Sequence, residues 1–369
     1  MNIALIGPAS VIHYQRWAYS LAELGHEVHI ISQHPDKGIA ESPLFASKTW
    51  LPIRSPWGYI GNIPKLHSTI ARIKPDIVNA HYGSGYGLCS SLISGYPYLL
   101  SVWGSDVYDF PNESQLKKYI LRWNLSRASA IASTSHTMKQ QVMHILPEPG
   151  KIYVTPFGVD CVKFHPDPNK DRKMLTIGIV KTLAKKYGID NLIQAFAKLL
   201  TLPSVKSIDS QYPLQLLIVG DGPENGSLTK MVAELGICDR TTFAGRIEHN
   251  DIPTWLHRMD IFVAPSRLDS ESFGVAVIEA SACGIPVIVS DVGGLPEVVD
   301  DGVTGIVVAK ENIHSLTFAM EKLVLNSDLR FTMGNAGRKK VIENYEWQGC
   351  INNMINCYES TIMEYSHLQ

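Results

Sequence analysis

Leu214–Gly222 reads LQLLIVGDG. Its apolar residues run almost unbroken and stop on Gly-Asp-Gly. A strand with one wet face alternates apolar and polar residues. A continuous run suits a parallel strand covered by helices on both faces. Similar β-rich runs recur along the chain. The first half has 3–7, 27–32, 76–81, 97–102, 130–135 and 151–156; the second has 175–180, 241–245, 260–266, 286–291 and 305–309. Between them lie helical patterns such as 14–24, 189–200, 226–235 and 274–283. Two series of alternating strands and helices predict two doubly wound, Rossmann-like α/β domains facing a central cleft.

Length agrees, because 369 residues exceed one ordinary domain. The polar stretch 165–173, with two prolines, marks the expected boundary. It gives domains 1–165 and 166–345, and a C-terminal helix (about 346–369) packing back on the first. No apolar run reaches the roughly 18 residues of a spanning helix, and Met1-Asn2 leads straight into a strand. The six cysteines are scattered without metal-ligand spacing. A cytoplasmic protein without a structural metal is the expectation. Residues 1–165 hold 14 Lys/Arg and 10 Asp/Glu, leaving 19 and 25 of the totals 33 and 35 for the rest. A basic first half either meets something anionic or reflects drift between domains.

The phosphate-binding motifs GxGxxG and GxxxxGK[ST] are absent, which disfavours a dinucleotide dehydrogenase or P-loop kinase. Lys181, Lys185 and Lys186 instead follow the strand 175–180, at the end where such sheets bind ligands. They are either solvated loop charges or an anion site. Residues 271–279 read ESFGVAVIE. The helix that begins near Phe273-Gly274 offers free N–H groups to phosphate, and Gly274 lets a ligand approach closely. Glu271, ahead of the helix, can accept hydrogen bonds from sugar hydroxyls, and Glu279, inside it, from a ribose diol. The plainer alternative is an N-terminal helix charge and a surface glutamate.

This segment resembles the E-x7-E signature of retaining GT-B glycosyltransferases of family 4, the group 1 transferases. Residues 154–166, 216–224, 243–247, 262–266 and 284–308 are similar to family landmarks in family order; 22–31, 74–81 and 101–106 match more loosely. The resemblance implies a donor site in the second half. Glu271 would hold the donor sugar and Glu279 the ribose. Ser272, Phe273, Gly274 and Val275 would meet sugar and phosphate through the backbone. The base would rest near Gly245, Arg246 and Ile247, and Gly7 is counted with the donor residues. Lys181 and Lys186 match the spacing of the family's Arg and Lys on the diphosphate. Lysine at 181 is a departure, because it offers a point charge and not a fork. So is Tyr187, which parts Lys186 from Gly188. The implied enzyme moves a sugar, with retention and without a metal or cofactor, from a UDP- or GDP-sugar to a glycan or lipid-linked glycan. Glu271 would position the sugar and need not be a nucleophile. Another GT-B enzyme (an epimerase or phosphorylase) or a silent nucleotide-sugar-binding protein are the alternatives.

The acceptor is expected in the first half, around Ser10, His13, His81, Trp103 and Asp106. Trp103 stands where the family frequently has histidine, so that role does not carry over. Asp106 either binds a hydroxyl or caps the next helix. In 115–128, Leu116, Tyr119, Ile120 and Trp123 fall on one helical stripe flanked by Lys117, Lys118 and Arg122. The stripe either packs on its own domain or touches an anionic membrane surface, which would place the protein peripherally on the inner face of the cell membrane. Nothing suggests nucleic acid as a partner.

Overall fold

A computed structural model of the chain describes residues 1–168 and 173–367. Within them the chain divides into two compact units, Met1–Phe157 with Gln348–Gln369, and Gly158–Trp347. The division falls ahead of the stretch 165–173 that the composition marks as the boundary. Residues 169–172 of that stretch, and 368–369 of the C-terminal helix, lie outside the described residues.

Unit 1 is built on a parallel sheet of β1 (Asn2–Ile6), β2 (Glu27–Ser32), β3 (Ser47–Trp50), β4 (Ile77–His81), β5 (Tyr98–Ser101), β6 (Ala130–Ser133) and β7 (Lys151–Val154), in the order β3-β2-β1-β4-β5-β6-β7. Every expected strand is present. β3 was missed, because SKTW at the sheet edge is short, polar and half-exposed, and gives no apolar run. The C-terminal helix Trp347–His367 reaches this sheet through Tyr358, whose buried hydroxyl donates to Asn79 Oδ1 at 2.9 Å. That bond satisfies two polar groups in an apolar interior, where an unpaired one would cost about 1–3 kcal/mol.

Unit 2 repeats the plan with β8 (Leu175–Val180), β9 (Leu214–Val219), β10 (Thr241–Gly245), β11 (Ile261–Ala264), β12 (Val287–Ser290) and β13 (Gly305–Val308), ordered β10-β9-β8-β11-β12-β13 and all parallel. LQLLIV is β9, paired on both edges and almost wholly buried, as its unbroken apolar run requires. The helix Ile189–Thr201 packs Ile189, Leu192, Ile193, Phe196 and Leu199 onto this sheet at helical spacing. Each such side chain contributes about 1.5–3 kcal/mol by burial.

Candidate active site

Strand order decides what meets in unit 2. The order reverses between β8 and β11, and open α/β sheets bind ligands beyond the carboxyl ends of strands at such a switch point. Lys181 follows β8 directly, and Glu271 lies on the loop after β11. Their side chains meet there, with Lys181 Nζ 2.5 Å from Glu271 Oε2. Both line a small pocket with Ser266, Gly274, Val277 and Leu295. Burial alone lowers the affinity of the Lys181 ammonium for its proton. The nearby Glu271 carboxylate, the Tyr187 hydroxyl and a hydrogen bond to Glu271 outweigh it, so the Lys181 pKa is raised. Lys181 is therefore a cation at neutral pH.

The backbone behind this pair is tightly seated. Gly220 has φ 138°, and a Cβ there would lie 1.9 Å from the Lys181 carbonyl oxygen. Glu271 accepts a hydrogen bond at its carbonyl from Gly294 N at 3.0 Å. Gly274 precedes the helix Val275–Ala282 with φ 94°, and a Cβ there would meet Leu295 at 2.7 Å. Phe273 is buried edge-on to Tyr345, with ring centroids 5.5 Å apart. Its ring thus anchors the loop. Ser272 is buried beside it, and Val275 is half-buried at the first helical position.

Glu279 is buried within that helix and is not the solvated surface glutamate of the plainer sequence alternative. Its Oε1 lies 3.9 Å from His249 Nε2. His249 opens the turn that follows Gly245, Arg246 and Ile247, where Arg246 is exposed. Gly245 accepts at its carbonyl from Gly220 N at 2.9 Å, which ties the end of β10 to the loop behind Lys181.

Three residues of this site escaped the sequence reading. His249 is one. Tyr187 is the second: Lys181 Nζ and Lys186 Nζ lie 4.3 and 5.1 Å from its ring centroid. One aromatic face thus gathers the two lysines by cation–π attraction. Its only signal was the extra residue between Lys186 and Gly188. Arg267 is the third. It binds both Asp190 carboxylate oxygens at 2.7 and 2.8 Å, and donates to the Lys185 carbonyl at 2.8 Å. Its backbone N–H donates to the Lys186 carbonyl at 2.8 Å. Hydrogen bonding to Asp190, above all, raises its pKa. A planar fork therefore clamps the lysine turn to the loop after β11. Arg267→Met leaves Asp190 without this partner and is expected to cost about 2 kcal/mol, below the range for fully buried pairs. Thermal unfolding would measure it. Arg267→Lys is expected to recover little, because the two-oxygen geometry is lost.

In unit 1 the strand order reverses between β1 and β4. Gly7, Ser10 and His13 follow β1, and His81 ends β4. A Cβ at Gly7 would lie 2.6 Å from the Tyr14 ring and 3.1 Å from His81 Cβ. Ser10 is exposed. His13 stacks on Phe157 with centroids 4.3 Å apart, and Trp103 presents its edge or face to His13, His81, Tyr82 and Phe157 at 5.5–6.1 Å. Trp103 is half-buried at the hub of these rings. His81 is fully buried, and burial pushes its imidazole down to about 3, so it is neutral. Asp106 is also fully buried. Its carboxylate accepts from the backbone N–H groups of Gly83 at 2.6 Å, Trp103 at 3.0 Å and Gly104 at 2.7 Å. Burial, the largest influence, raises its pKa against these bonds. Asp106 thus fixes the loop that carries Trp103. Binding an acceptor hydroxyl, the other sequence reading, would require those bonds to break.

Two parallel α/β units with switch-point crevices of this kind form a GT-B-like architecture. The sucrose-phosphate synthase of Thermosynechococcus elongatus has this fold, with a TM-score of 0.82, 21% identity, and 97% of this chain and 98% of that one covered. Residues 162–340 match the family described as "Glycosyl transferases group 1", and residues 2–135 match "Glycosyl transferase 4-like". The chain belongs to the group 1 glycosyltransferase family. It is 29% identical over 252 residues to a GDP-mannose-dependent alpha-(1-6)-phosphatidylinositol monomannoside mannosyltransferase of Mycolicibacterium smegmatis, across 64% of this chain and 60% of that protein. It therefore spans less than two thirds of that relative. It is 24% identical to the N-acetyl-alpha-D-glucosaminyl L-malate synthase of Bacillus anthracis, across 93% of this chain and 92% of that protein.

Proposed function

We propose that this protein transfers a sugar from a nucleotide diphosphate sugar to a hydroxyl of a glycan or lipid-linked glycan, with retention of anomeric configuration. The observation that carries the reading is the meeting of Lys181 and Glu271 beside Gly274 at the unit 2 switch point. Glu271 holds the donor sugar, Glu279 the ribose, and the base rests along Gly245, Arg246 and Ile247. Lys181, Lys186 and the helix start at Gly274–Val275 face the diphosphate. As the bond from the anomeric carbon to the phosphate oxygen breaks, negative charge grows on that oxygen. Fixed positive groups stabilise it without reorganising. The acceptor oxygen attacks from the same face, and its proton passes to the leaving phosphate oxygen.

We assign the acceptor to unit 1, near Ser10, His13 and Trp103. The half-buried Trp103 and the His13–Phe157 stack supply aromatic faces of the kind that pack against the C–H face of a sugar. The Mycolicibacterium relative is described as GDP-mannose-dependent and as acting on a phosphatidylinositol monomannoside. That favours GDP-sugars among the donors and a lipid-borne acceptor.

Thermal unfolding against UDP-, GDP-, ADP- and dTDP-sugars tests the donor. The true donor at 100 times its dissociation constant is expected to stabilise by about 2.7 kcal/mol. Nucleotide release that depends on an added acceptor would then support transfer. Release without an acceptor or phosphate-dependent glycan breakdown would overturn it, and so would donor binding with no turnover on any acceptor.

A further inference from the structure

We propose that unit 1 docks on an anionic lipid bilayer through two exposed segments that both pack on the helix Gly85–Ser90, the short helix Gly58–Gly61 with the preceding Trp57, and the outward face of the helix Gln115–Arg127. The purpose of such docking rests on the lipid-linked acceptor reading above; the surface itself rests on exposure, rigidity and charge.

A stripe of Leu116, Tyr119 and Trp123 would ordinarily face the core. Here it faces outward, with Leu116 67% and Tyr119 66% exposed. The helix is instead held inward by Leu121, Asn124 and Leu125. Asn124 sets the rotation, because its side-chain amide donates to the carbonyls of Gly83 and Ser84 at 2.9 and 3.0 Å. The second segment displays Trp57 and Ile60, 77% and 60% exposed. This short helix is also firmly seated. Asn62 accepts from Ile53 N at 3.1 Å and donates to its carbonyl at 2.7 Å. Between the segments lies the short helix Gly85–Ser90. Tyr59 packs against its Tyr86, with centroids 5.4 Å apart, and Arg127 donates to the Ser91 carbonyl just past its end.

The charge around these residues selects the partner. Lys117 pairs with Glu113, but neither Lys118 nor Arg122 has an ion-pair partner among the described residues. Arg54 and Lys65 flank the helix that Trp57 precedes and are exposed. Trp and Tyr favour the headgroup level of a bilayer, and basic residues beside them favour anionic headgroups. A protein-binding core tends to exclude charge, whereas these aromatic and aliphatic tips are interleaved with lysine and arginine.

The test is co-sedimentation of the full chain with vesicles of phosphatidylcholine alone or mixed with phosphatidylglycerol. Binding is expected to the mixed vesicles at low salt and to fall as salt rises. Trp57→Ser/Tyr119→Ser is expected to weaken it by tenfold or more. Lys118→Gln/Arg122→Gln is expected to weaken it and to flatten its salt dependence. All these variants should keep the donor-induced thermal shift, which shows them folded. Absence of binding at low salt, or binding indifferent to both pairs of substitutions, would overturn the inference. A concentration-dependent dimer abolished by Trp57→Ser/Tyr119→Ser would assign the surface to a second copy instead. Loss of the lipid-linked acceptor reading, through transfer only to free glycans, would leave a positive vesicle result standing.

Discussion

Glu271→Ala is expected to yield a folded protein that has lost sugar transfer, with kcat lower by about 10²–10³, the scale of removing one well-placed group that acts in the transition state. The fold should survive because the loop is held by other atoms. The Glu271 carbonyl is bonded to Gly294, its N–H donates to the Leu268 carbonyl at 3.0 Å, and Phe273 anchors the next turn. What disappears is the carboxylate that holds Lys181 at 2.5 Å and that we propose orients the donor sugar. Glu271→Gln keeps a hydrogen-bonding group of the same length and should fall between the two. Loss of Glu271 also removes the main influence that raises the Lys181 pKa, so the variant's residual activity should fall off at lower pH on the alkaline side than the wild type's. Steady-state kinetics across pH, beside thermal unfolding curves, would read both effects. Wild-type turnover by Glu271→Ala would refute the role.

The second large effect is expected at Lys181. Lys181→Met removes the fixed charge nearest the end of β8 while keeping an apolar chain of similar length. The leaving diphosphate then loses a counter-charge that costs no reorganisation, and kcat should fall by roughly 10². Lys181→Arg retains the charge and offers a two-pronged donor to phosphate oxygens. It is expected to retain at least a tenth of wild-type activity, limited by how well the longer fork fits between Glu271 and the Tyr187 ring. Parallel measurement of donor affinity separates ground-state binding from catalysis. An unchanged dissociation constant with a depressed kcat places the lysine's effect in the transition state. Full activity in Lys181→Met would mean that Lys186 and the helix start suffice.

Much of the architecture was legible because parallel strands buried on both faces are mostly apolar, with a polar residue such as Asn79 admitted where it is hydrogen-bonded. Every long Val/Ile/Leu run became a strand, whereas Ser47–Trp50, half-exposed at an edge, left no mark. The site was legible only in pieces. Glu271, Gly274 and Glu279 share one short segment, so their spacing posed a ligand with two polar ends beside the plainer helix charge and surface glutamate, and the family resemblance favoured the ligand. That Lys181, some 90 positions earlier, touches Glu271 depends on β8 and β11 being neighbours, and strand order is not written in any local pattern. His249 and Arg267 were invisible for the same reason, since each acts on residues distant in sequence, whereas Tyr187 acts on the nearby Lys181 and Lys186 and showed only as an extra residue before Gly188.

The helix Gln115–Arg127 and Asp106 show the same division. Periodicity located an apolar stripe but not the side it faces. Asn124, through two carbonyls some 40 positions away, turned Leu116 and Tyr119 outward. The type of residue 106 left capping and hydroxyl binding equally open, and the structure adds that its carboxylate is fully buried against the N–H groups of Gly83, Trp103 and Gly104. By itself, then, the sequence determined what is local: strand burial, helix starts, the spacing of Glu271 and Glu279, and the ordered landmarks of the family. The tertiary structure alone decided which charges are partners and which apolar faces are left uncovered, because both are set by contacts between segments far apart along the chain.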